Sequence, residues 1–221
     1  VIFDNNGTID KYVGDMVMAF WNAPLEDRRH AHNAIVTALA MQKRTDDLKQ
    51  EVVASGFPEV NIGIGINTGM MNVGDMGSEF RRAYTVLGDA VNLGSRLESL
   101  TKFYGVRILV GESTHAQAPE FLYRRVDRII VKGKREPVMV YEPVCLLSEA
   151  SASRKERVAR YNEAIGYYHA QQWSAAEDIL QELLAQDPER KLYRMYIDRI
   201  ATLRNADMTV GWSGVFEHVS K

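Results

Sequence analysis

The stretch Tyr84-Thr-Val-Leu-Gly-Asp-Ala-Val-Asn92-Leu-Gly-Ser-Arg96-Leu-Glu98 joins a strand-like run, a Gly-Asp turn and the start of a helix. On that helix Asn92 and Arg96 stand four residues apart, and positions i and i+4 share a helix face. An amide and a guanidinium fork therefore project together in front of the strand end. The pair suits a phosphate ester beside a sugar. Arg binds phosphate oxygens bidentately, and the nearby helix N-terminus adds peptide N–H donors and a positive dipole end. A single such pair is more often a solvated patch on an amphipathic helix, so a second segment is needed to decide between the two.

That segment is Gly7-Thr-Ile-Asp-Lys11-Tyr-Val-Gly14-Asp15-Met-Val-Met-Ala-Phe20-Trp21. It reads as strand, Gly-Asp turn, strand, a tight β-hairpin with Asp15 at the tip and Lys11 four residues back on the first strand. Together the two segments resemble the class III nucleotidyl cyclases. Their catalytic domains carry a Lys-Tyr-hydrophobic-Gly-Asp hairpin and a Tyr-Thr-hydrophobic-hydrophobic-Gly-Asp-x-Val-Asn-x-x-x-Arg segment. Asn61-Ile-Gly-Ile-Gly-Ile-Asn67-Thr-Gly69, Val73-Gly-Asp-Met-Gly77-Ser78, Thr101-Lys-Phe-Tyr-Gly105 and Val131-Lys-Gly-Lys134 follow in the same family order, so the resemblance covers about residues 1 to 142.

The resemblance implies an intramolecular reaction in which the ribose 3′-hydroxyl of a nucleoside triphosphate attacks the α-phosphate and pyrophosphate leaves. No protein nucleophile is needed, and no convincing Ser-His-Asp or Cys-His constellation is present; positioning and charge stabilisation carry such chemistry. In the family two divalent ions, Mg²⁺ or Mn²⁺, are held by two Asp residues. Asp15 matches the second. The first is expected on a strand upstream of Val1, and Asp4 sits too close to Lys11 to replace it, so this stretch by itself is expected to turn over little ATP. Lys11 and Thr85 match the adenine-selecting set: a Lys donor meets a ring nitrogen, and a Thr hydroxyl accepts from the exocyclic amine. By the same resemblance Asn92 orients the ribose and Arg96 stabilises charge at the α-phosphate. Lys132 or Lys134, and Arg81 or Arg82, are weaker candidates for the terminal phosphates. The family also implies a homodimer whose two composite sites combine residues of both protomers. The expected activity is therefore conversion of ATP to cyclic AMP; the alternatives are a guanylate cyclase, or a non-catalytic nucleotide-binding regulatory domain of the same fold.

Composition narrows the rest. The chain has 221 residues and a net charge of −2, with basic residues dispersed rather than gathered in a stripe, which disfavours nucleic-acid binding. One cysteine, Cys145, excludes an internal disulfide and fits a reducing, cytoplasmic setting; its expected role is a small hydrophobe at a strand end. No apolar run approaches the ~18 residues of a membrane span, although upstream regions of a parent protein could anchor it.

Helical and strand patterns alternate along the first two thirds. His30 to Lys49 carries Ile35, Ala38, Leu39 and Leu48 at mostly helical spacing, with His30 and His32 expected to be solvated. Val60 to Ile66 alternates strictly, with Gly63 and Gly65 on one face, where glycine signals close approach of another backbone or ligand. Strands are also expected at Val106 to Val110, Phe121 to Val126, Ile129 to Val131 and Val138 to Tyr141. The expected fold is α+β, a ferredoxin-like split βαβ sheet covered by helices, over residues 1–146. A linker is expected at 147–153, then an all-helical extension over 154–221. In that extension Ala164, Tyr167, Ala176, Leu180, Leu183 and Pro188 are spaced like one tetratricopeptide-type helix pair, with Gln171-Gln172-Trp173 at the turn. The extension is read either as a cap on the catalytic region or as a surface recruiting a protein partner, with Trp212 to Phe216 resembling an anchor.

Overall fold

A computed structural model of the chain describes residues 1–130, 137–205, 212, 214 and 215. A 3₁₀ turn at Phe3–Asn5 leads into hairpin β1 (Thr8–Val13) and β2 (Met16–Phe20). Helix α1 (His30–Ala54) follows, then β3 (Ile64–Ile66), hairpin β4 (Asn72–Ser78) and β5 (Arg81–Leu87), and helix α2 (Asp89–Tyr104). Strand β6 (Ile108–Gly111), the short helix α3 (Glu112–Gln117), β7 (Phe121–Ile129) and β8 (Val138–Leu146) complete the α+β part. Helices α4 (Ala152–His169), α5 (Trp173–Gln186) and α6 (Lys191–Arg204) follow.

The central sheet runs β3-β6-β8-β7, with β3 parallel to β6 and the other pairs antiparallel. Helix α2 crosses between β3 and β6 as a βαβ unit, into which the β4–β5 hairpin is inserted. Gly65 of β3 and Gly63 just before it explain how closely α2 lies. A Cβ on Gly65 would stand 2.2 Å from the Glu98 N and Gly94 O atoms, and one on Gly63 would meet Thr101 Oγ1 at 2.2 Å. At Gly65 helix and strand thus touch backbone to backbone, which only glycine permits. Asn67 pins the start of the helix, its amide donating to the Ala90 carbonyl at 2.9 Å.

On the other side of the sheet α1 buries Ala31, Ile35 and Ala38 against Ile108, Val110 and Phe121. Gln42 is also buried, and its amide donates to the Ile62 carbonyl at 2.9 Å. That capture explains one correction. The alternating run from Val60 is a strand only over Ile64–Ile66, because β6, its one ladder partner among the described residues, is four residues long and the Ile62 carbonyl goes to a side chain instead. A second correction concerns His32, which is not solvated. Its Nδ1 bonds the Glu120 carboxylate and its ring packs 5.2 Å from Phe121, so it ties α1 to the start of β7. Third, β7 runs unbroken through Asp127 where two separate strands were expected; its register with β8 shifts between Arg125 and Asp127 without ending the ladder.

The last three helices share one apolar core with α2, β6, β7 and β8. Tyr161, Ile165, Leu180, Leu192, Tyr193, Tyr196 and Ile200 are all fully buried. Asn162 donates to the Tyr123 carbonyl at 3.0 Å and accepts from the Arg125 N–H at 2.9 Å, fastening α4 along β7. Beneath α6 the carboxylate of Asp127 accepts from Tyr104 of α2 at 2.8 Å and from Arg199 of α6 at 2.7 Å. Glu142 sits between Arg124 and Arg190; burial opposes its charge, but the two guanidiniums outweigh burial and hold its carboxyl below the ordinary value. The turn between α4 and α5 occupies 170–172, one residue earlier than the expected 171–173, because Trp173 already opens α5, and Trp212 packs 5.2 Å from Tyr168 and 5.1 Å from Trp173. Phe216 lies outside the described residues. Cys145 is buried in β8, as its sequence context suggests. No helix among the described residues is long and apolar enough to cross a membrane.

Candidate active site

The β1–β2 hairpin turns at Gly14, whose φ of +62° lies in the left-handed region that glycine adopts without strain. Asp15 follows at the exposed tip. Phe20, at the end of β2, packs 6.0 Å from Tyr84 with the rings tilted by 43°, and docks the hairpin on β5. Gly7 lets the chain pass close behind the hairpin, because a Cβ there would stand 2.7 Å from the Ile2 side chain and 2.8 Å from the Trp21 ring and would displace them.

This docking brings Lys11 and Thr85 together through a residue that sequence patterns alone pass over. Asp10 falls at a register shift in β1, since Ile9 pairs with Ala19 and Lys11 pairs with Met18, leaving Asp10 without a cross-strand partner. Bulges of this kind re-aim a side chain. The Asp10 side chain is 1% exposed, and its Oδ2 accepts from the Thr85 hydroxyl at 2.9 Å. The Lys11 ammonium lies 3.5 Å from the same oxygen, while the Lys11 side chain remains 45% exposed. Asp10 Oδ1 is buried and has no hydrogen-bond partner among the described residues. The available signal was an acidic residue inside a strand pattern, where Asp is depleted.

From Thr85 the chain continues through Val86 and Leu87 to Gly88, and α2 begins at Asp89. Asn92 and Arg96 sit on its first turns, exposed and half-buried respectively. Neither side chain has a hydrogen bond or ion pair among the described residues, so both donors are available to a ligand. Arg82 pairs with Gly77 near the far end of β5. Its odd spacing from Thr85 puts the two side chains on opposite faces of that strand. Lys132 and Lys134 lie outside the described residues, as does the side chain of Arg81.

A divalent cation is implied by the family, and the donors present fit it in part. Asp15 is an exposed carboxylate with no ion pair or hydrogen bond among the described residues. Among the described residues no group of three or more His, Cys, Asp or Glu side chains gathers there. One carboxylate suits Mg²⁺, which takes one or two of them and fills its octahedron with substrate phosphate and water.

Residues 7–142 match the sequence profile of the adenylate and guanylate cyclase catalytic domain. Over 145 residues, 65% of this chain, it is 39% identical to adenylate cyclase 1 of Rhizobium meliloti, and over 145 residues it is 40% identical to an adenylate cyclase of Anabaena cylindrica. It spans 22% and 29% of the lengths of those two curated relatives. Among solved structures it resembles the adenylyl cyclase CyaB from P. aeruginosa, with a TM-score of 0.60 and 34% identity, covering 67% of this chain and 77% of that one. It also resembles the guanylyl cyclase Cya2, with a TM-score of 0.59 and 30% identity, covering 68% of this chain and 76% of that one.

Proposed function

The chain belongs to the adenylate and guanylate cyclase catalytic-domain family, and from that membership we propose that it works as an adenylate cyclase catalytic region, converting ATP to 3′,5′-cyclic AMP and pyrophosphate. The observation that carries the choice of base is the joining of Lys11 and Thr85 at Asp10. The ammonium offers a donor to an adenine ring nitrogen and the hydroxyl an acceptor to the exocyclic amine. Asn92 orients the ribose so that its 3′-hydroxyl faces the α-phosphate, and Arg96 neutralises charge that develops there. A preorganised donor of this kind is worth on the order of 10²–10³ in rate. Bound Mg²⁺ or Mn²⁺, two per site in the family, supplies further electrophilic stabilisation, and Asp15 is the residue here that would hold it. Arg82, on the opposite face of β5 from Thr85, is kept as a candidate for the terminal phosphates and not for the base.

The assembly is a homodimer with composite sites. Tyr12, Val13 and Val17 of the first hairpin and Phe80 at the tip of the second are large apolar side chains in solvent, Phe80 being 97% exposed. Such exposure favours an association surface. The helical extension is assigned to capping, since its apolar faces are occupied by α2 and the sheet.

The test is cyclic nucleotide synthesis from ATP and from GTP by the full-length protein. Preference for ATP, its shift toward GTP in Lys11→Glu with Thr85→Cys, and a loss on the order of 10²–10³ in Arg96→Ala are expected. GTP preference in the natural protein would instead make it a guanylate cyclase. Tight nucleotide binding without turnover would favour the regulatory reading.

A further inference from the structure

We propose that Asp10 fixes the hydrogen-bond polarity of the base pocket: by holding the proton of the Thr85 hydroxyl, it leaves Thr85 only an acceptor toward the substrate and makes the pocket discriminate adenine from guanine. This rests on the adenylate cyclase reading above and concerns how that same pocket chooses its base.

A threonine hydroxyl alone is indifferent. It has one O–H and two lone pairs, and it rotates to suit its neighbour, so it can accept from the adenine amine or donate to the guanine O6 oxygen. In this structure the choice is made from behind. The bulge between Ile9 and Lys11 turns Asp10 inward, and its Oδ2 lies 2.9 Å from Thr85 Oγ1. A carboxylate beside an ammonium, here that of Lys11 at 3.5 Å, carries acceptors only. The Thr85 proton therefore points to Asp10, and only lone pairs face away from it.

The same oxygen draws in the Lys11 ammonium, which has three N–H groups and no lone pair. The pocket thus presents a donor beside an acceptor. Adenine offers the complement, an acceptor ring nitrogen beside an amine donor. Guanine places its O6 acceptor where adenine has that amine, so lone pairs would meet lone pairs.

The burial of Asp10 fits this role better than a purely structural one. Its second oxygen is buried without a partner among the described residues, a state that costs stability and gives the fold nothing in return. Local rules broken at a buried polar group are expected where function requires them.

The test compares kcat/KM for ATP and GTP in the full-length protein and in Asp10→Asn, Asp10→Glu, Thr85→Val and the Asp10→Asn/Thr85→Val double variant. Asn preserves the shape of Asp but can donate its amide to Thr85, which releases the hydroxyl proton toward the substrate. The ATP-to-GTP ratio is expected to fall about tenfold or more in Asp10→Asn, mainly through KM, with the melting temperature little changed. Asp10→Glu, still acceptor-only, should retain more of the ratio than Asp10→Asn. Thr85→Val should lose the ratio by itself, and adding Asp10→Asn should lower it no further. If Asp10→Asn folds poorly, Asp10→Ser, which can also donate, is measured in its place. An unchanged ratio in the donor-bearing variant, or a further loss in the Thr85→Val background, would overturn the role of Asp10 while leaving the cyclase reading intact. A natural protein that makes no cyclic AMP would instead refute that reading, and this inference with it.

Discussion

Replacing Arg199 by methionine should destabilise the protein by about 3 kcal/mol, because it strands a buried charge. Asp127 has no solvent exposure, and the Arg199 side chain is 8% exposed. The carboxylate would keep the Tyr104 hydroxyl at 2.8 Å on Oδ2 and the Arg128 N–H at 2.8 Å on Oδ1, but it would lose the guanidinium that balances its charge. Breaking one partner of a buried pair costs about 3–5 kcal/mol, and the two surviving donors place this case at the lower end. Methionine fills much of the arginine stem's volume, so little is added for a cavity. At about 2–4 °C per kcal/mol for a chain of this size, the melting temperature should fall by about 6–12 °C. Thermal melts and urea titrations followed by circular dichroism measure this. Adding Asp127→Asn to Arg199→Met should restore most of the loss by removing the orphaned charge. A loss below about 1 kcal/mol, or no recovery in the double variant, would refute the view that this ion pair fastens α6 to the sheet.

Removing residues 150–221 should lower the melting temperature and solubility together, since Tyr104, Leu97 and Val126 would lose the cover of Tyr161, Tyr193 and Tyr196; unchanged values would make the extension an independent module. Gly65→Ala should cost about 1–3 kcal/mol and reduce cyclase activity, because its Cβ would stand 2.2 Å from the α2 backbone atoms that set the helix bearing Asn92 and Arg96; a parallel activity and melting series checks both. Stability should also fall as pH drops below about 6.5. Burial against Tyr141 lowers the His115 pKa, so the unfolded chain binds more protons than the folded one in that range, and the contribution is present above 6.5 and lost on acidification. Urea midpoints across pH 5 to 8 for the natural protein and His115→Phe should show a shallower slope in the variant.

The segments whose meaning is local were legible in the sequence. A Gly-Asp turn between two β-rich runs specifies a hairpin, and Gly88-Asp89 before a 3.6-periodic run specifies a helix start; both signals depend on neighbours within a few residues, and both elements form as expected. The glycines of the alternating run even announced a close approach, which α2 supplies against the backbone at Gly65. Tertiary structure decided what depends on partners distant in the chain. The end of β3 follows from the length of β6 and from the reach of Gln42 across 20 residues. The pairing of His32 with Glu120 spans 88 residues, and that of Arg199 with Asp127 spans 72. Asp10 is the sharpest case: periodicity treats it as a polar interruption in a strand, and only the docking of one hairpin on another, 75 residues away, turns it inward onto Thr85. Backbone propensity and period are properties of short windows, whereas the burial of a charge is set by whichever surface arrives to cover it.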